Sequence, residues 1–241
     1  MARTVGIGHQ DFERVIQHNN FYVDKTLFLK EWWENDDAVT LITRPRRFGK
    51  TLNMSMVERF FSVKYAGQGE LFEGLNIWKE EKYRKLQGTY PVISLSFAPV
   101  KEMENYLDMR RLMCRLIYEQ FHQYRFLLQV DGLMDEKEKE LFHAISRTME
   151  EDVAAMSLNM LSRLLMRHYG KKVIILLDEY DTPMQEAYMK GYWEDIVAFI
   201  RNLFNATFKT NACLELFYDG KPAERGEPPD LDRRTDSVQP D

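Results

Sequence analysis

Two short groups of residues have the types and spacing for joint chemistry: Gly49-Lys50-Thr51 and Asp178-Glu179. Glycine, lysine and a hydroxyl residue in that order form the second half of the phosphate-loop pattern G-x-x-x-x-G-K-[ST]. The glycine lets backbone N–H groups turn toward phosphate oxygens, and the N-terminus of a following helix adds a favourable dipole. Lys50 would reach the β- and γ-phosphates, and the Thr51 hydroxyl would ligate Mg²⁺. The expected phosphate contacts run over Arg46, Arg47, Phe48, Gly49, Lys50, Thr51 and Leu52. The first glycine of the pattern is replaced by Arg44. Arg44, Arg46 and Arg47 either support a triphosphate or an acidic partner electrostatically, or are solvated or structurally paired. Phe48 reads as a packing residue.

Asp178-Glu179 closes a strongly apolar run, Val173 to Leu177. Five consecutive apolar residues read as a strand buried on both faces, as in a parallel sheet. Its two carboxylates then stand at the carboxyl edge of the sheet, where ligands bind in open α/β folds. Asp178 would hold Mg²⁺ opposite Thr51, and Glu179 would orient an attacking water or take its proton. Asp181 is either a further carboxylate around the metal or a helix N-cap. Tyr180 reads as packing. Arg201 reads equally as a contact to a neighbouring subunit's site or as a surface residue.

The elements around these groups follow from periodicity. Ala38–Ile42 is an apolar run that enters the arginine-rich loop, and Leu52, Met56, Val57, Phe60 and Phe61 give the next stretch, to about Val63, a helical face. Ahead of them, Asp11–Ile16 reads as a short capped helix, Phe21–Thr26 as an extended piece and Thr26–Trp33 as a helix. The aromatic residues Phe21, Tyr22, Phe28, Trp32 and Trp33 form a stripe that is either core or a platform for a nucleotide base. Pro91–Phe97 is a strand with proline at its start. Helices are expected over 102–127, 135–150, 156–168 and 191–209, with Gly170 as a C-cap and Thr182-Pro183 ending the acidic strand.

Composition narrows the function classes. The chain has 241 residues, a 44% hydrophobic share and a formal charge of −5, which is ordinary for a globular α/β protein and gives no general case for nucleic-acid binding. Two cysteines far apart and five scattered histidines indicate neither a disulfide framework nor a metal centre. No signal-peptide pattern opens the chain, and no apolar run approaches the ~20 residues of a membrane span. A cytoplasmic location is expected.

Taken together, Ile7–Phe12, Tyr22–Thr26, Thr43–Leu52 and Leu177–Pro183 closely resemble the AAA-ATPase-like family of bacterial proteins, many of which carry a PD-(D/E)XK nuclease-like domain after the ATPase. The resemblance covers roughly residues 5–210. It implies a three-layer P-loop NTPase fold with a mostly parallel sheet in the order 5-1-4-3-2, ATP and Mg²⁺ as cofactors, and Glu179 as the catalytic glutamate alongside Lys50. In that order the strand following the Asp-Glu strand inserts next to the phosphate-loop strand, and Leu214–Tyr218 is short but able to fill this place. A fifth strand has no counterpart. Three domains of the sequence are therefore expected: a leader over 1–37 packed on the core, a partial ATPase domain over 38–211, and a polar tail over 212–241 that is expected to be disordered. The composition change near residue 212 points to a truncated or frame-shifted product. The expected function is ATP binding with Mg²⁺-dependent hydrolysis. Its alternatives are a nucleotide-binding interaction module with little turnover and, less favoured, a nuclease-associated DNA-binding protein. A nuclease-like partner and self-association are the expected protein contacts.

Overall fold

The computed structural model describes residues 8–35, 39–41, 49–209 and 211–220. In chain order the elements are α1 (Phe12–Gln17), α2 (Leu27–Asn35), β1 (Val39–Leu41), α3 (Lys50–Phe61), α4 (Glu81–Arg84), β2 (Val92–Ser96), α5 (Tyr106–Gln123), α6 (Glu136–Ala144), α7 (Glu151–Tyr169), β3 (Val173–Asp178), α8 (Thr182–Lys190), α9 (Trp193–Phe204) and β4 (Leu214–Gly220). Among the described residues they form one four-stranded sheet in the order β1-β4-β3-β2. Every pairing is parallel, with Asp178 level with Ser96 on one side and Gly220 on the other. Parallel neighbours need long crossovers, and the helices between successive strands supply them.

β3 is the centre of this arrangement, and all six of its residues are buried. Alternation along the strand sends its side chains to opposite faces. Ile174 and Leu176 join a core made with α1, α2 and α3. Val173, Ile175 and Leu177 join a larger core made with α5, α7 and α9. Asp178 continues the first series and so faces α3.

β4 lies between β1 and β3 and gives each a hydrogen-bonding partner. The strand expected at Leu214–Tyr218 is therefore present and runs on to Gly220. The tail from Lys221 onward, expected to be disordered, lies outside the described residues.

Residues 8–35 wrap the α3 side. Asp11 caps α1 by accepting from the Arg14 N–H, and the Phe12 N–H donates to Ser55 Oγ of α3 at 3.0 Å. Phe12 stacks on Phe72 with ring centres 5.2 Å apart, and Trp33 stacks on Phe61 at 5.3 Å. Most of the aromatic stripe is thus packed inward: Trp32 is buried, Tyr22, Phe28 and Trp33 are half-buried, and Phe21 alone of the five is exposed.

Several boundaries differ from the periodicity reading. The helix expected over 102–127 is α5, which starts later because Asn105 caps it by accepting from the Asp108 N–H. The helix expected over 135–150 ends at Ala144. Beyond it Ile145 and Met149 turn into the core, and Arg110 holds the Met149 carbonyl at 2.7 Å. α7 begins at Glu151, ahead of the expected start at 156. Thr182-Pro183 does more than end β3: it opens α8, with proline in the first turn, where its missing N–H costs nothing. The helix expected over 191–209 is α9 followed by a π-helical turn at Asn205–Lys209. There Thr207 Oγ1 bonds the Leu203 carbonyl and Asn159 Nδ2 bonds the Ala206 carbonyl. Side chains thereby take up carbonyls that a regular ladder would have used.

Candidate functional site

α3 starts at Lys50 with Gly49 as its N-cap residue at φ +76°, a left-handed conformation that glycine adopts without a steric penalty. First-turn N–H groups of a helix have no acceptor within the helix, so Lys50, Thr51 and Leu52 carry the amides best placed for an anion. The Leu52 side chain turns the other way and packs on the aromatic core. Arg44, Arg46, Arg47 and Phe48 lie outside the described residues.

Across the sheet edge, Thr51 Oγ1 donates to Asp178 Oδ2 at 3.0 Å. The two halves of the expected site, far apart in sequence, are in direct contact. Asp178 is only 5% exposed. Its second oxygen, Oδ1, is buried and has no hydrogen-bond partner among the described residues. Burial pushes the Asp178 carboxyl above its ordinary value and the neighbouring Glu179 charge adds to that, while the Thr51 bond, the adjacent Glu179 N–H and the Lys50 charge oppose it. A buried carboxylate oxygen without a partner is costly, at about 1–3 kcal/mol or more. A hard divalent cation bound by oxygen donors would remove that cost. Thr51 and Asp178 therefore fit Mg²⁺ in their chemistry. Among the described residues no three His, Cys, Asp or Glu side chains gather into a protein-only metal cluster.

Glu179 follows at φ +50°, rare for a residue with a side chain. Such a conformation costs of order 1–3 kcal/mol and gathers at functional sites. It turns the Glu179 side chain out of the strand's alternation. There Oε2 accepts from Thr182 Oγ1 at 3.2 Å and lies 3.5 Å from Lys101 Nζ. Asp181 occupies the N-cap position of α8, but its carboxylate makes no capping bond and instead accepts from Gln185 Nε2 at 2.9 Å. Arg201 is exposed on α9, and Tyr180 packs on the larger core.

Three residues near these groups escaped the sequence reading. Lys101 and Thr182 hold Glu179. Lys25, from the segment before α2, brings its ammonium to 3.9 Å from where a β-carbon on Gly49 would stand. The sequence marked that segment only as an extended piece and as one of the strings that carry the resemblance, with no role for Lys25.

A model of the AAA-ATPase-like family, described as predicted AAA-ATPase, matches residues 6–218. The chain belongs to that family. No curated protein and no solved structure matches it. The matched span of the AAA-ATPase-like chain takes in α1, α2 and most of β4 as well as the residues around Lys50 and Asp178. Among the described residues of this AAA-ATPase-like protein, no helix is long and apolar enough to cross a membrane.

Proposed function

We propose that this chain is a three-layer P-loop NTPase module that binds Mg-ATP at the N-terminus of α3 and hydrolyses it. The observation that carries this reading is the Thr51–Asp178 bond, with the second Asp178 oxygen buried beside it and without a partner among the described residues. The strand order β1-β4-β3-β2 supports the fold half of the proposal, since among the described residues it matches the 1-4-3-2 part of the P-loop order 5-1-4-3-2.

The residues divide the work. Amides of Lys50, Thr51 and Leu52 cradle phosphate oxygens, and the Lys50 ammonium offsets their charge. Arg46 and Arg47 add positive charge on the loop ahead of them. Thr51 and Asp178 would hold the metal, which when bound would neutralise charge that builds on the phosphate oxygens. Glu179 orients the attacking water and takes up its proton. For that, its carboxylate must exchange Lys101 and Thr182 for water.

The same contacts favour a second reading, a nucleotide-binding interaction module with little turnover, because Glu179 is already engaged by Lys101 and Thr182. Phosphate release from Mg-ATP by wild type, Lys50→Ala and Glu179→Gln separates the two. Turnover lost in both variants supports hydrolysis. Binding without turnover, abolished by Lys50→Ala, selects the second reading. Absence of binding by wild type contradicts both. The formal charge of −5 gives DNA binding no support, and salt-dependent DNA retention would be needed to revive it.

A further inference from the structure

Lys25 is held near the start of α3 by an unusually complete set of bonds to its flanking backbone. Asp24 Oδ1 accepts from the Thr26 N–H at 2.9 Å and from Thr26 Oγ1 at 2.6 Å, while Asp24 Oδ2 accepts from the Asn76 N–H at 2.7 Å. Thr26 Oγ1 in turn accepts from the buried Ile77 N–H at 3.1 Å. The Lys25 N–H donates to the Tyr22 hydroxyl at 3.3 Å, and that hydroxyl donates to Met56 Sδ of α3. Burial pushes the Tyr22 phenol up to about 12, so it stays a donor at neutral pH. Both sides of Lys25 are thereby tied to α3 and to the 76–77 turn.

The side chain is treated differently. Lys25 is half-buried, and none of the hydrogen bonds or ion pairs among the described residues involves its ammonium. That ammonium lies beside Gly49, directly before the amides of Lys50 and Thr51. A long cation on a fixed backbone has already lost part of its freedom, so less entropy remains to be lost when it meets an anion.

We propose that Lys25 is a second phosphate-binding lysine, which contacts the phosphate groups of a nucleotide bound over Gly49–Thr51. The segment before α2 then forms one wall of the nucleotide site. The proposal rests on the Mg-nucleotide reading of the same site.

The test is binding of a fluorescent ATP analogue, with Mg²⁺, to the intact chain as wild type, Lys25→Met, Lys25→Arg and Lys50→Ala, over a range of salt. Lys25→Met is expected to raise Kd about ten-fold or more, the effect of losing one charge-assisted hydrogen bond. It should also flatten the dependence of log Kd on log salt, with Lys25→Arg restoring most of both. Melting without nucleotide should match wild type, because the ammonium ties down no described residue. Lys25→Met binding as tightly as wild type, while Lys50→Ala abolishes binding, overturns the role of Lys25 and leaves the nucleotide reading intact. Lys25→Met melting lower by the same amount with and without nucleotide assigns a structural role and overturns it too. A wild type that binds no analogue removes the nucleotide reading itself, and this proposal with it.

Discussion

On the α3 face of the sheet, Ile174 and Leu176 meet rings: Phe12, Trp32, Phe60, Phe61 and Phe72 are all buried there. On the opposite face, Val173, Ile175 and Leu177 meet a larger layer dominated by leucine and methionine from α5, α7 and neighbouring helices. Side-chain bonds to distant backbone run through both faces, from Ser55, Asp24 and Thr26 on the α3 side and from Arg110, Asn159 and Tyr192 on the other. The contrast lies in the apolar packing: edge-to-face and stacked rings have defined geometries, so the α3 face is suited to holding groups in place. Leucine and methionine supply apolar area with less directional demand. The β3 alternation sends Asp178 to the ordered face. One side of β3 supplies stability in bulk while the other supplies position.

The largest test of that division lies on the bulk face. Leu161→Ala, fully buried in α7, should destabilise by about 2–5 kcal/mol in denaturant melts. Mg-ATP affinity of the folded protein should be unchanged. A parallel loss of affinity would break the comparison.

Asp24→Ala comes next, on the ordered face, with an expected cost of about 1.5–3 kcal/mol. It should also weaken Mg-ATP binding by loosening the backbone around Lys25. Burial pushes the Asp24 carboxyl up, but bonds from Thr26 and Asn76 and the charge of Lys79 outweigh it and hold the group below its ordinary value. A depressed carboxyl stabilises the fold above its unfolded pKa, about 4, and that contribution is lost as pH falls through the lower folded value. The gap between wild type and Asp24→Ala in a pH series of melts should therefore close below about pH 4. A gap that stays constant would mean the bonds do not depend on the charge.

Asp135→Ala removes the capping box of α6, far from the site, and should cost about 1 kcal/mol with no change in nucleotide binding. The smallest expected change in stability is at Asp178. Asp178→Asn removes a buried charge whose Oδ1 lacks a described partner, so the nucleotide-free protein should gain up to about 1 kcal/mol. Stabilisation of the ligand-free protein at the expense of ligand response would mark Asp178 as positioned for binding.

Much of this was legible in the residues. Five apolar residues before Asp178 admit only a fully buried strand or a buried helix, and the flanking lysines and Asp-Glu settle the choice. α3 is periodic enough to be read directly, and Gly170 ends α7 in the left-handed conformation expected of it. Strand order was a different matter. Nothing in Leu214–Gly220 says that it lies between β1 and β3, and its place was reached only through the family string. α8 was missed because Thr182-Pro183 serves equally to stop a strand and to start a helix. Lys25 was missed because its approach to Gly49 is a tertiary contact, which leaves no local pattern.

The central claim is that Lys50, Thr51 and Asp178 form one Mg-nucleotide site, and thermal unfolding with and without Mg-ATP tests it most directly. At about a hundred-fold excess over Kd, ligand linkage should raise the wild-type Tm by roughly 5–10 °C. Lys50→Ala should show no rise, and Asp178→Asn should lose the part that depends on Mg²⁺. A wild type that melts at the same temperature with Mg-ATP as without it, or an Asp178→Asn variant that responds as fully as wild type, would contradict the claim.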